Sequence, residues 1–479
     1  RRTGGGTVRS SMFTFADIEA ITGGGWLVTP PADEATHGIV DDTRVLKPGD
    51  VFVALRGTLA DGHRFLRQAA QGAAAAVCVE APPGAEVLAD LRSSQCGVLQ
   101  VADTLVAYHS LAAAHRRTMS HCTVVGLTGS AGKTSVKEML AAVCRESAPG
   151  AVLATEGNTN NHFGVPRNLL RLDERHRYAI IELGTNQPGD IAQLARMVQP
   201  DAAVITNIGH AHLEKLGSLE GVAREKADIL RSVKADGLAV IPVDGPQTDV
   251  LKDAAGARRV VTFGADESAD VHVAYHGWNG QRFWVTFTGV GGRTDQVTEV
   301  EWRVGGVHQA RNAAAACAVA GALGIPADCI LRGLGKAELP GMRSRVECRD
   351  GILWFNDAYN ANPESMSAGL HLFAEIAGGS KFRRRVLVLG DMLELGSYAP
   401  KAHREVLREA RRAFPDARIV AVGPQMQMAA DEGAADAAVA DVRAAQAAIE
   451  DDLNPGTAVL LKGSRGMALE RVMNGADRP

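Results

Sequence analysis

Short apolar runs alternate with stretches of helical periodicity along most of this chain. In the first part the runs are Val51 to Leu55, Ala74 to Val79 and Gly97 to Val101, each of which reads as a buried strand. Phe65 to Gln71 is helix-like, and Asp61-Gly62-His63 before it is a turn. Val124 to Leu127 is a further strand candidate. After it, Val136, Met139, Leu140 and Val143 recur at i, i+3, i+4 and i+7, one face of a helix. Tyr178 to Ile181, Ala202 to Thr206, Leu238 to Pro242 and Val260 to Phe263 repeat the strand signal. Helices are expected over Ile191 to Val198 and from an N-capping Ser218 to about Leu230.

From Val271 to Gly289 apolar and polar residues alternate, which predicts an antiparallel hairpin turning at Asn279-Gly280. An alanine-rich helix, Asn312 to Leu323, is stopped by Gly324-Ile325-Pro326. Ile352 to Phe355, Val386 to Leu389, Ile419 to Val422 and Ala458 to Leu461 then alternate with helical segments, as right-handed crossovers in a parallel sheet require. The expected class is α/β. It comprises a central parallel-sheet domain with an antiparallel appendage, a Rossmann-like C-terminal domain and a smaller N-terminal α/β domain.

Length changes this picture by setting the number of cores. The chain has 479 residues, and at roughly 150 residues per domain it should hold about three. The boundaries read from the pattern are 12–120, 121–336 and 337–479. Apolar content of 46% and net charge of −4 describe an ordinary globular chain with no electrostatic case for nucleic acid. Seven scattered cysteines without a Cys-x-x-Cys pair argue against a disulfide framework or a structural zinc site. No run is long and apolar enough for a membrane span. Arg1 to Ser11 lacks the apolar core of a signal peptide, and Met12 reads as a natural first residue. A cytoplasmic monomer is the expectation.

The chemistry begins at Thr128-Gly129-Ser130-Ala131-Gly132-Lys133-Thr134, a glycine-rich turn between strand and helix. Glycines let the backbone approach a polyphosphate, and the backbone N–H groups and helix N-terminus then face the anion. Lys133 can reach the outer phosphates and the Thr134 hydroxyl can bind Mg²⁺. The usual pattern has glycine where Leu127 stands, so the match is to the shorter form. Glu182 closes the strand Tyr178 to Ile181, where a carboxylate can hold Mg²⁺ or simply be solvated. Gly157-Asn158-Thr159-Asn160-Asn161 is either a turn or a set of amides for an anionic ligand. His210 and His212, at i and i+2 on a strand, face opposite ways; one of them can line a site. Lys226, taken alone, reads as a solvated helix lysine. Asp42-Thr43-Arg44 alone reads as a solvated loop. Polar clusters follow three strands of the last segment: Asn356 to Pro363, Gly390-Asp391-Met392 and Lys462-Gly463-Ser464-Arg465-Gly466. Each could be capping chemistry, but three at the carboxyl ends of parallel strands point to a ligand site, with Lys462 and Arg465 as substrate candidates.

These residues together resemble the Mur ligases over nearly the whole chain from Met12. In the first domain the resemblance rests on Asp42-Thr43-Arg44, Pro48 to Gly57 and Asp61-Gly62-His63. In the centre it rests on Gly129 to Thr134, Gly157 to Asn161, Ile181 to Gly184, His212-Leu213-Glu214, Gly217 to Ala223 and Lys226. In the last domain Asp357-Ala358-Tyr359-Asn360-Ala361-Asn362-Pro363 and Gly390-Asp391-Met392-Leu393-Glu394-Leu395-Gly396 carry it. The last two stretches resemble the family branch that adds D-alanyl-D-alanine.

The resemblance implies three domains: one for the UDP end of a nucleotide substrate, one for ATP and a third closing over both. It implies that ATP phosphorylates the terminal carboxylate of UDP-MurNAc-tripeptide, and that the amine of D-alanyl-D-alanine attacks the acyl phosphate. It implies two Mg²⁺, one held by Thr134 and Glu182, the other by His212 and a Lys226 carbamylated by CO₂. It places Asn312 on the adenine, Asp357 and Tyr359 on the ATP side, Asn160 and Asn161 in a substrate loop, and Asp42, Thr43 and Arg44 on the nucleotide substrate. Ala131 and Gln309 stand where the family has asparagine, and His162-Phe163 where it has Glu-Ile. A folylpolyglutamate-type ligase should lack the first domain. The branch that adds the third stem residue usually carries an Asp-Tyr-Ala-His-type loop where this chain has Asp357-Ala358-Tyr359-Asn360. A non-ligating nucleotide switch is the reading from another class. Whether the tripeptide ends in diaminopimelate or lysine stays open.

Overall fold

The computed structural model describes residues 12–475 apart from 32–35, 58–59, 279–282, 293–297, 303, 379–381 and 431–432. The reading of Arg1 to Ser11 and the Asn279-Gly280 turn therefore lie outside the described residues. The strands are β1 (Gly25–Val28), β2 (Gly38–Val40), β3 (Asp50–Val53), β4 (Ala76–Val79), β5 (Gly97–Gln100), β6 (Thr123–Thr128), β7 (Val152–Ala154), β8 (Tyr178–Glu182), β9 (Ala202–Ile205), β10 (Leu238–Pro242) and β11 (Arg259–Gly264). They continue as β12 (Val271–Trp278), β13 (Phe283–Thr288), β14 (Thr298–Trp302), β15 (Arg345–Arg349), β16 (Ile352–Asn356), β17 (Arg384–Gly390), β18 (Arg418–Val422), β19 (Ala437–Val439) and β20 (Thr457–Lys462). Backbone proximity gathers residues 12–124, 153–183 and 193–200 into one compact unit, and 125–152, 184–192 and 201–475 into another.

In the first unit the sheet order is β1-β5-β4-β3-β2, with β2 to β5 parallel and β1 antiparallel on the edge. Phe52, Ala54, Val77, Val79 and Val98 form one buried face with Leu66, Ala69 and Leu91 from the helices Leu66–Gln71 and Ala85–Ser93. The helix Thr104–Thr118 starts where Asp103 Oδ1 accepts from Leu105 N (2.8 Å) and Val106 N (2.9 Å).

In the second unit the strands run β14-β13-β12-β11-β10-β9-β6. β6, β9, β10, β11 and β12 pair in parallel, and β13 and β14 are added antiparallel. The expected appendage is thus present and one strand longer than the alternation predicted. The alanine-rich helix covers Val307–Ala322, beginning five residues before the expected Asn312. Gly306 at φ +96° stands at its N-cap and turns the chain directly into it. Its run of buried alanines allows close packing on the helix Lys133–Ser147.

The last sheet runs β15-β16-β20-β17-β18-β19, all parallel except the edge strand β15. Successive residues of each central strand enter opposite cores. Phe355, Leu387, Leu389, Ile419 and Leu460 lie on one side; Trp354, Val386, Val388, Val420 and Val459 lie on the other. Burial on both faces is why these strands read as unbroken apolar runs. No helix among the described residues is long and apolar enough to cross a membrane.

Candidate active site

The second unit carries the glycine-rich turn. β6 ends at Thr128 and a helix begins at Lys133, so the chain must reverse within Gly129 to Gly132. Gly132 stands at φ +80°, and a Cβ there would lie 2.3 Å from Asn312 Oδ1; glycine alone meets both conditions. A Cβ on Gly129 would fall 1.8 Å from Thr206 Oγ1. The turn is tied to the loop after β9. Ser130 N donates to Asn207 O (3.1 Å), Ala131 N to Asn207 Oδ1 (2.8 Å) and Thr206 Oγ1 to Ala131 O (2.5 Å). Ala131 takes part through its backbone alone, so an alanine serves there. Lys133 Nζ donates to Gly129 O at 2.7 Å, which holds the ammonium against the turn where a phosphate would sit.

Thr134 is buried, and Arg343 Nη2 donates to its hydroxyl at 3.1 Å. The same guanidinium lies 3.5 Å from the centroid of the Tyr359 ring. Arg343 thus joins the phosphate loop to Tyr359. No local pattern marks this arginine, because its partner Thr134 is 209 residues away. Asn312 donates to Gln309 Oε1 at 3.0 Å, beside Gly132. A recess lined by Asn207, Asp244, Thr248, Phe263 and Arg311 opens at the carboxyl ends of β9 to β11. It too lacks a sequence motif.

The three polar clusters in the last segment meet, two through a side-chain ion pair and the Gly390-Asp391-Met392 one through Ser464 N, which donates to Asp391 O at 3.0 Å. Lys462 Nζ donates to Asp357 Oδ2 (2.5 Å) and Ser344 N to Asp357 Oδ1 (2.9 Å), with Lys462 only 2% exposed. Arg465 is largely exposed and pairs with Glu470 at 2.6 Å. The third cluster differs. Asp391 is buried and accepts from Met426 N (2.7 Å) and Gln425 N (3.2 Å), capping the short helix Pro424–Ala430.

Lys226 is not a solvated lysine. It is 1% exposed on the helix Leu219–Arg231, and among the described residues no hydrogen bond or ion pair reaches it. Its neighbour Glu225 is engaged elsewhere, accepting from Gly189 N (2.7 Å), Ile191 N (2.8 Å) and Thr185 Oγ1 (3.1 Å). Burial, and then the charge of Lys133, push the Lys226 amine well below the ordinary lysine range, against the pull of Glu225. The two histidines also depart from expectation. β9 ends at Ile205, so His210 and His212 lie in the loop beyond it and the alternation of a strand does not apply. His210 Nδ1 lies 2.5 Å from Glu364 Oε1, and His212 Nδ1 lies 2.7 Å from Glu394 Oε2.

In the first unit Glu182 ends β8, 2% exposed. Asn160 Nδ2 donates to Glu182 Oε1 (2.8 Å), and Glu182 N donates to Thr155 Oγ1 (2.9 Å). Asn161 Oδ1 accepts from Phe163 N (3.1 Å) and Gly164 N (2.9 Å), heading the helix Gly164–Leu169. Beyond β2, Arg44 grips Asp42 through Nε (2.9 Å to Oδ1) and Nη2 (2.6 Å to Oδ2). That side-chain hydrogen bond holds the Asp42 carboxyl below the usual carboxylate range. Thr43 sits between them in the turn. Asp41 takes a bidentate contact from Arg167 (2.9 and 2.6 Å).

A phosphate loop on a parallel sheet, a buried lysine beside it and an added α/β segment define a class of nucleotide-dependent ligases. The Mur ligase middle domain matches residues 127–320, and the Mur ligase glutamate ligase domain matches residues 342–465. The chain belongs to the Mur ligase family. It is similar to the UDP-N-acetylmuramoyl-tripeptide–D-alanyl-D-alanine ligase of Escherichia coli (strain K12), at 36% identity over 92% of this chain and 94% of that one. A crystal structure of MurF from Acinetobacter baumannii superposes with TM-score 0.86 at 32% identity, covering 98% of this chain and 99% of that one. MurF ligase from Thermotoga maritima, in complex with ADP, gives TM-score 0.79 at 26% identity over 91% and 96% of the two chains. The expected α/β class and ligase family are both met.

Proposed function

We propose that this chain joins D-alanyl-D-alanine to UDP-MurNAc-tripeptide in an ATP-dependent reaction, as a cytoplasmic monomer making peptidoglycan precursor. The observation that carries this reading is the likeness, along almost the full chain, to ligases named for that reaction. Residues 12–120 hold the UDP end, 121–336 hold ATP and 337–479 supply further contacts to both substrates.

A carboxylate oxygen of the tripeptide attacks the γ-phosphorus, the bond to the β,γ-bridging oxygen breaks, and ADP leaves. The amine nitrogen of D-alanyl-D-alanine then attacks the acyl carbon, losing a proton as phosphate departs. Two anions must approach each other, so positioned cations matter more than covalent help. Lys133 moves from Gly129 O to the outer phosphates while the backbone N–H groups at the N-terminus of the helix Lys133–Ser147 face them. Arg343, fixed by Tyr359 and Thr134, adds a second cation. Asn312 and Tyr359 contact the nucleotide, and Asp357 holds Lys462. Lys462 and Arg465 face the substrate, with Asn160 and Asn161 in its loop and Asp42, Thr43 and Arg44 at its diphosphate.

Mg²⁺ fits the donors present. Among the described residues no three His, Cys, Asp or Glu side chains form a cage. A hard cation would therefore take phosphate oxygens together with a few protein donors, as Mg²⁺ does. Thr134 and His212 are such donors in the second unit, and Glu182 is another at the end of β8. Mg²⁺, when bound, supplies charge neutralisation. Lys226 fits carbamylation. Its buried amine is held toward the neutral form, and the neutral nitrogen can add to the carbon of CO₂ and lose a proton, turning a cation into an oxygen ligand. The test is ADP release from full-length protein with UDP-MurNAc-tripeptides ending in diaminopimelate or lysine, with and without D-alanyl-D-alanine, and mass spectrometry of the product. ADP release that is indifferent to the dipeptide would sink the reading and favour the nucleotide switch.

A further inference from the structure

His212 Nδ1 lies 2.7 Å from Glu394 Oε2. Both residues stand in the left-handed region, at φ +55° and +64°. Side-chain-bearing residues keep that conformation only where the surroundings impose it, and such residues gather at functional sites. A close backbone approach accompanies it. Gly396, at φ +54°, lies so near Glu214 that a Cβ would sit 3.2 Å from Glu214 Cα. The loop after β17 is thereby pressed onto the turn that follows His212.

The neighbouring histidine is held in the same manner from a different element. His210 N (2.9 Å) and Nδ1 (2.5 Å) both meet Glu364 Oε1 at the start of the helix Pro363–Ala377, and its ring stacks on Tyr398 at 4.9 Å. Two carboxylates of the last segment thus fix the loop after β9, which also carries the bonds to the phosphate loop.

A carboxylate only accepts, so the ring nitrogen facing it carries the hydrogen, and in the neutral ring the other nitrogen then holds the lone pair. We propose that Glu394 is a positioning residue: it holds His212 with the proton on Nδ1 and presents Nε2 as the ligand for the cation bound beside the phosphate loop. This rests on the reading of His212 as a Mg²⁺ ligand. It makes the metal affinity of the middle segment depend on a side chain of the last one. Removing such a supporting carboxylate typically weakens metal binding about 10–100-fold. Glutamine at 394 can turn its NH₂ toward Nδ1 and favour the other tautomer.

The test uses the full chain with Mn²⁺ as the probe, in the presence of ADP. Mn²⁺ affinity is read by electron paramagnetic resonance, and the His212 tautomer by ¹⁵N NMR of histidine-labelled protein, assigned with His212→Ala. In the parent protein Nδ1 should be protonated and Nε2 bare. Glu394→Gln should lose that single tautomer and bind Mn²⁺ at least about tenfold more weakly, while its melting temperature stays unchanged because Glu394 is largely exposed. Glu394→Asp should recover part of the affinity. If His212→Ala weakens Mn²⁺ binding but Glu394→Gln alters neither tautomer nor affinity, the positioning role is wrong. If His212→Ala leaves Mn²⁺ affinity unchanged, the reading of His212 as a ligand fails, and the role of Glu394 with it.

Discussion

The loops after β6 and after β2 both bring a cation to the carboxyl end of a parallel strand, yet they hold it by different means. After β6 the shape is set by backbone. Gly129 and Gly132 leave room for Thr206 and Asn312, and amide bonds run to Asn207. After β2 the shape is set by side chains, with Arg44 closed on Asp42 and largely exposed. A backbone-built site is fixed before the ligand arrives, and the cation in it loses little freedom on binding. A side-chain-built site must open its own ion pair first. The first arrangement suits stabilisation of charge during reaction, the second suits recognition.

The sharpest break of this comparison is Lys133→Ala. It should lower kcat by about 10²–10³ while leaving the fold intact, on the scale of a lost electrostatic donor. Steady-state ADP release against the melting curve checks it, and near-normal turnover would put the chemistry elsewhere.

Lys226→Ala should come next, nearly inactive and partly restored by a small carboxylate in solution. An ammonium near a bound cation repels it by roughly 4 kcal/mol per unit charge at about 4 Å and a dielectric near 20; a carbamate attracts it. Burial lowers the Lys226 pKa, so the neutral amine exists at lower pH than in a solvated lysine. Carbamylation should then extend to lower pH than at a solvated lysine and fail as pH falls through that depressed value. Activity in CO₂-depleted buffer, before and after bicarbonate is returned, reads this directly. No change on depletion would return Lys226 to a structural role.

Arg44→Ala sharpens the other side. The KM for the nucleotide substrate should rise about tenfold, within the range of a charged hydrogen bond, and the KM for ATP should hold. The opposite split would remove the loop after β2 from substrate recognition. The smallest effect should be Arg167→Ala, which leaves the buried Asp41 carboxylate without its bidentate partner. A loss of about 1–2 kcal/mol in chemical denaturation, with both KM values unchanged, would mark that pair as structural.

The same contrast explains what could be read from the chain. β10 covers Leu238–Pro242 as expected, and Ser218 caps its helix, because both depend on local pattern. The turn Gly129 to Gly132 was legible because glycine spacing records a backbone shape. For Asp391 the pattern offered both a cap and a ligand site, and it could not choose between them because the capped residues Gln425 and Met426 are more than thirty positions on. Arg343 and Glu394 act across long stretches of sequence, and no periodicity encodes that. Lys226 was misread by composition alone: a helix lysine is usually solvated, and only packing shows this one buried. The family resemblance, not its spacing, singled it out.

One feature of the last sheet bears on how the protein is made. β20, residues 457–462, pairs with β16 on one side and β17 on the other, so the strand synthesised last fills the centre. Until it has left the ribosome, β16 and β17 each expose an open edge and two apolar faces. Such edges are templates for wrong pairing, and closing them requires a contact between chain segments about a hundred residues apart, which is slow. The nascent last domain should therefore depend on chaperones until translation reaches β20. Stalled ribosomes carrying chains that stop before residue 457 should leave that domain open to protease while the β6–β12 sheet is already resistant.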